Sequence, residues 1–335
     1  MDTRDPQSYN DHHTHSCRRA SFHNYKAPCT YMITITKDPS APDFSSLTGI
    51  PGDASNPPAT LLSSTGKIIE QQIIDLNFNV EFTIDAYVLM PDHIHIIWRV
   101  KTWLTKDLGY YVGLFKSRCT KIWREKYCIM NAASHPPLFK EKFNDRIGFN
   151  EDIVRRLINY TLDNPRRRLM ISLWPKLFTM AQQVRILGLV FDVFGNFQLL
   201  KHPLISAAVV SSRYTPSQRE AFEREWDETI RSKGVLISPF ISAAEKELMH
   251  RHLNAGGSII RIIADGIGPK YKPSGAEFEL CAQGRCLHIG MPRQSMHKEK
   301  LDRSQCLLLN QLAIWIASHP AETMGLIKGA LMRRH

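Results

Sequence analysis

The stretch Ala86-Tyr87-Val88-Leu89-Met90-Pro91-Asp92-His93-Ile94-His95-Ile96-Ile97-Trp98 decides how this chain is read. Tyr87 to Val100 reads as a β-strand, and side-chain direction repeats every second residue along a strand, so His93 and His95 point to one face. Ile94 and Ile96 then fall on the other face and can bury in a core. By spacing alone the pair is either half of a metal site or two histidines alternating on a half-exposed strand.

About sixty-five residues on, Glu151 to Tyr160 has a second period. Ile153, Val154, Leu157, Ile158 and Thr161 follow helical spacing, and Pro165 marks the expected end of that helix. Asn164 follows Tyr160 by four, so both side chains share a helix face. Taken by itself, Tyr160 is an amphipathic tyrosine at a core edge. Beside two imidazoles it is also a candidate nucleophile.

Together, Met90-Pro91-Asp92-His93-Ile94-His95 and Tyr160-Thr161-Leu162-Asp163-Asn164-Pro165 resemble the two signatures of the HUH single-strand transposases, specifically the REP-associated tyrosine transposases. Gly113-Leu114-Phe115-Lys116-Ser117-Arg118 is similar to the basic helix of that family. Phe139 to Ile147 is similar to the stretch before its tyrosine helix, so the resemblance runs over about residues 30 to 172. It implies an α+β ferredoxin-like domain in which His93, His95 and Asn164 hold Mg2+ or Mn2+. Tyr160 would attack a phosphate of single-stranded, hairpin-containing DNA and form a 5′-phosphotyrosine. Members with one nucleophile usually act as dimers, so a homodimer is implied. The alternative is a domesticated, non-catalytic DNA-binding protein derived from such an enzyme.

Charge agrees with a polyanionic partner. The 335 residues carry 43 Lys and Arg against 32 Asp and Glu, a formal net charge of +11. Residues 101–172 concentrate it, and Lys116, Arg118, Lys121, Arg124, Arg166 and Arg167 are the candidate DNA contacts, each also readable as ordinary solvated surface. No apolar run approaches the ~20 residues that span a bilayer, and the N-terminus lacks the apolar core of a signal peptide. The expectation is a cytoplasmic protein with no membrane partner. Cys17, Cys29, Cys119, Cys128, Cys281, Cys286 and Cys306 are dispersed without CxxC spacing and read as reduced thiols.

The expected organisation is a disordered tail over 1–29, which contains Asp11-His12-His13-Thr14-His15, then the transposase-like domain over 30–172. A linker or helical connection over 173–200, a Rossmann-like domain over 201–320 and a basic C-terminal helix or tail over 321–335 follow. Asp38 to Thr65, rich in Pro, Ser and Gly, reads as a long loop. From residue 205 on, three strands alternate with two helices, which implies a parallel α/β sheet.

This half resembles the DNA-processing protein A fold in Ser211-Ser212-Arg213, Glu247 to His250, Ala255-Gly256-Gly257 and Asp302-Arg303-Ser304-Gln305. Ser211 stands for the turn glycine, and Pro239-Phe240 for a glycine-rich phosphate-facing loop. Ser212, Arg213 and Arg303 are candidate anion contacts, with a purely structural role as the other reading.

Overall fold

The computed structural model describes residues 20, 22–127, 136–211, 213–268, 271–273, 275–292 and 302–333. The chain divides into two compact units, 1–170 and 171–335.

The first unit is built on β1 (Cys29–Lys37), β4 (Phe82–Leu89), β5 (His93–Val100) and β6 (Phe139–Gly148). These form one antiparallel sheet in the order β4-β5-β1-β6. β1 and β4 are thus parallel to each other with β5 between them, and β5 and β6 are parallel with β1 between them. Two crossovers therefore interlock, one through α1 (Ser64–Leu76) and one through α2 (Leu108–Lys126). Ile94, Ile96 and Trp98 of β5 pack with Ile69 and Ile73 of α1 and with Val112, Phe115 and Cys119 of α2. On the opposite face Met32 and Ile97 pack against Ile153, Leu157 and Tyr160 of α3 (Glu151–Leu173). Alternation along β5 thus sends Ile94, Ile96 and Trp98 to one layer and His93, His95 and Ile97 to the other.

Three expectations change in this unit. Residues 1–19 and 21 of the expected tail lie outside the described residues, but its last part is folded. Tyr25 is buried, and its hydroxyl donates to Asp145 Oδ2 at 2.8 Å and accepts from the Ala20 amide at 3.0 Å. The Asp38–Thr65 loop contains a small hairpin, β2 (Ser45–Thr48) paired with β3 (Ala59–Leu62). Pro165 does not end α3, which runs on to Leu173. A proline removes one backbone donor and normally breaks a helix. Here the helix continues with Asn164 and Pro165 both buried against the unit, and the Asn164 side-chain amide separately donates to the Tyr160 carbonyl at 3.1 Å.

The second unit has a six-stranded sheet in the order β7-β8-β12-β11-β10-β9. β9 (Ile205–Ala207), β10 (Val235–Ser238), β11 (Ser258–Ile267) and β12 (Cys286–Pro292) run parallel in chain order. The stretch expected as a linker is instead β7 (Thr179–Ile186) and β8 (Leu189–Gly195), an antiparallel hairpin whose second strand pairs with β12. Its two-residue turn has Leu187 and Gly188 at φ 50° and 78°, the left-handed geometry that matches strand twist. A bulge at Gln183 interrupts the alternation, and the buried Asp192 carboxylate accepts its amide at 3.0 Å.

Trp226 of α4 (Pro216–Arg231), Leu248 of α5 (Ala243–Asn254) and Cys281 of α6 (Gly275–Ala282) pack on one face of the sheet. Leu312 and Ile316 of α7 (Arg303–Ser318), with Met324 and Ile327 of α8 (Pro320–Met332), cover the other. Of the expected basic C-terminal helix or tail, the described residues form the helix α8, with an apolar face in the core.

Gly257 tests this packing. The buried His252 ring is held by Nε2 to the carbonyls of Gly234 at 3.2 Å and Ser258 at 3.0 Å, and a Cβ on Gly257 would overlap that ring. Gly257→Ala should destabilise the second unit by about 2–3 kcal/mol, from overpacking plus strained buried hydrogen bonds. Hydrogen exchange of the β10 and β11 amides in the full chain reads this. Unchanged protection would show that the ring moves aside at no cost.

Candidate metal and tyrosine site

β5 and α3 create the site. Met90-Pro91-Asp92 form the turn between β4 and β5, closed by the Met90 amide donating to the His93 carbonyl at 2.9 Å. His93 and His95 follow on the α3 face with ring centroids 4.7 Å apart, edge to face. The Tyr160 ring lies 5.7 Å from that of His95, also edge-on. Three side chains separated by up to 67 positions thus meet in one layer, and the tyrosine helix packs on the histidines of its own chain.

Each imidazole has an outer partner at Nδ1. His93 Nδ1 is 2.8 Å from Asp92 Oδ1, and His95 Nδ1 is 2.9 Å from Thr34 Oγ1, Thr34 being the register partner of His95 on β1. Such partners fix ring orientation and make Nε2 the ligating nitrogen in metal sites. Partial burial alone would push the Asp92 carboxyl up, but the His93 hydrogen bond and the charges of His93 and Arg168 outweigh it and hold the group below the usual carboxylate range. His95 is buried, at 6% exposure, and Tyr160 is half-buried, so the site lies at the edge of the core and not on open surface.

Asn164 is buried one turn beyond Tyr160, with its amide nitrogen committed to the Tyr160 carbonyl. Arg167 sets its guanidinium carbon 5.5 Å from the centre of the Tyr160 ring. Arg166 forms a two-point pair with Asp163, Nε to Oδ1 at 2.6 Å and a terminal nitrogen to Oδ2 at 2.9 Å. Sequence reasoning gave Thr34 no part in the site, and Asp92 stood only inside the Met90–His95 signature with no role of its own. Thr34 is visible only once β1 is paired with β5, since nothing local links residues 61 apart.

The four α2 candidates do not join this site, because α2 packs on the opposite face of the sheet from Tyr160. Lys116 donates to the Lys140 and Glu141 carbonyls at 2.7 and 2.6 Å, tying α2 to β6, and burial pushes its ammonium down against the pull of Glu141. Arg124 donates to the Pro136 carbonyl at 2.9 Å. Arg118 reaches Asp75 at 3.5 Å and Lys121 reaches Glu125 at 3.9 Å, both at the exposed surface.

In the second unit, Ser212 lies outside the described residues. Arg213 is exposed, with its amide donating to Ser211 Oγ at 3.2 Å. Arg303 is the exposed first residue of α7, after the capping Asp302. Among the described residues no helix is long and apolar enough to cross a membrane.

No family model matches the chain, and no curated protein matches it. Among solved structures the chain is similar to a REP-associated tyrosine transposase bound to a REP hairpin, with 18% identity, 47% of this chain and 81% of that chain covered, and a TM-score of 0.31. It is also similar to a candidate transposase from Deinococcus radiodurans R1, with 11% identity, 44% and 97% coverage, and a TM-score of 0.26.

Proposed function

We propose that the first unit is a ferredoxin-like HUH domain that cuts and rejoins single-stranded DNA through Tyr160, and that the second is a Rossmann-like domain that modulates DNA binding. The observation that carries this reading is the ring cluster His93, His95 and Tyr160, with centroid spacings of 4.7 and 5.7 Å.

The donor set fits a divalent cation. Two imidazoles share one face, each held at Nδ1, and the Asn164 side-chain oxygen would add a neutral ligand from α3. Mg2+ or Mn2+ bound there would polarise the scissile phosphate and the leaving oxygen.

The protein's own groups do the rest. The Tyr160 oxygen attacks phosphorus, the bond from phosphorus to the 3′ oxygen breaks, and the 5′ phosphate stays on the tyrosine. The phenol loses its proton and the departing 3′ oxygen takes one up. Because the ester energy is kept in the intermediate, a second 3′ hydroxyl can reverse the step without ATP. Arg167, beside the ring, places a cation where the substrate phosphate arrives, and the asparagine and arginine of one helix turn move with the nucleophile. A hairpin-containing single strand is the proposed substrate, since a tyrosine at a layer edge reaches an unpaired strand more readily than one inside a duplex.

The test incubates the full chain with labelled single-stranded DNA from its own genomic flanks and Mg2+ or Mn2+, and looks for a covalent protein–DNA adduct. An adduct with a matching free 3′ end supports strand transfer. Tight binding with neither product would instead identify a non-catalytic DNA-binding protein.

A further inference from the structure

The second unit holds a cluster of metal-ligating side chains that the chemistry of the first does not use. Cys281 lies near the end of α6, Cys286 opens β12, and His288 follows two residues later on the same strand face. Strand alternation puts Cys286 and His288 together on the α6 side, while Leu287 and Ile289 enter the core under α7 and α8. The turn between α6 and β12 contains Gly284 at φ 72°, which lets the chain reverse tightly enough to bring Cys281 over the strand. All three side chains are fully buried, at 0% exposure.

The geometry is that of a ligand set. One donor atom from each residue lies within 4.8 Å of the other two, and Cys286 Sγ is 3.0 Å from His288 Nε2. Tetrahedral zinc, with bonds of ~2.3 Å to sulfur and ~2.0 Å to nitrogen, spaces its ligand atoms by about 3.5–3.8 Å, so only small side-chain movements separate the cluster from such a site. The His288 ring is also held from outside, its Nδ1 being 2.9 Å from the Tyr271 hydroxyl, which turns Nε2 toward the two sulfurs. Nearby, Arg261, the register partner of His288 on β11, keeps a buried Nε with no hydrogen-bond partner. Thiolates favour zinc-class ions over the hard cations suited to the first unit.

We propose that Cys281, Cys286 and His288 bind a thiophilic divalent cation of the zinc class, which clamps α6 to β12. Three protein ligands leave one position for a small exogenous ligand. The site is separate from the proposed DNA chemistry and stands or falls without it.

The test is a Co2+ titration of the reduced, metal-free full chain. The expected result is near-ultraviolet sulfur-to-cobalt charge-transfer absorption that saturates at about one equivalent and is displaced by Zn2+. Neither the His93–His95 pair nor His12, His13 and His15 carries sulfur, so neither can produce this band. Cys286→Ser should abolish it and Cys306→Ser should leave it intact. If Cys286→Ser does not fold, alkylation of the wild type under partial denaturation replaces it, with Zn2+ protecting Cys281 and Cys286 but not Cys306. Folded, fully reduced wild type that shows no thiolate band overturns the proposal, as does equal protection of all three thiols. A Cys281–Cys286 disulfide in the purified protein would also overturn it.

Discussion

Tyr160→Phe should lower covalent adduct formation with single-stranded DNA by at least ~10⁴-fold while leaving DNA affinity within about twofold of wild type. The substitution removes one oxygen and keeps the ring. The ring's contacts with His95 and with the Arg167 guanidinium, at 5.7 and 5.5 Å, therefore persist, and so does the packing beside Ile97 and Leu157. Losing a nucleophile costs far more rate than losing a binding contact, because no other step can proceed without the bond it forms. The comparison is a denaturing gel of labelled DNA beside a binding isotherm at fixed salt, since phosphate contacts make affinity depend on ionic strength. An adduct of undiminished yield in the phenylalanine variant would remove Tyr160 from the mechanism and point to another nucleophile.

His95→Ala should lower cleavage by at least ~10³-fold, and a chelator should do the same to wild type, because Lewis-acid stabilisation of a phosphoryl transition state is worth several kcal/mol. His95 is the more instructive of the pair. It is buried, touches Tyr160 and is oriented by Thr34, so its loss removes both a proposed ligand and the neighbour of the nucleophile. His93→Ala should lose a similar amount through the ligand alone. Thr34→Val, which keeps shape but cannot orient the imidazole, should cost a smaller ~10- to 100-fold, partly recovered at higher Mn2+. Single-turnover cleavage as a function of metal concentration separates these cases. Full wild-type activity in excess chelator would make the two histidines structural.

The strand that carries His93 and His95 was readable because strand periodicity is local: alternate residues take alternate faces whatever the sheet does. The same holds for the helix around Tyr160 and for the alternation of three strands with two helices after Ile205. Pro165 misled because its cost is also local, whereas the burial of Asn164 and Pro165 against the unit comes from the fold. The β7–β8 hairpin hid behind a bulge at Gln183, which breaks the alternation that would have marked β7 as a strand.

By itself, then, the sequence determined the strand of His93 and His95, the helix around Tyr160, the alternating strands and helices after Ile205, the placing of two histidines on one strand face, and the basic character of the chain. Tertiary structure alone decided which face met which helix. It set Tyr160 against His95 by laying α3 on their side of the sheet, and it sent Lys116, Arg118, Lys121 and Arg124 to the other side with α2. It also gathered Cys281, Cys286 and His288, which lie on a helix and a strand whose periods differ, so that only the closure of the turn at Gly284 brings their donor atoms together.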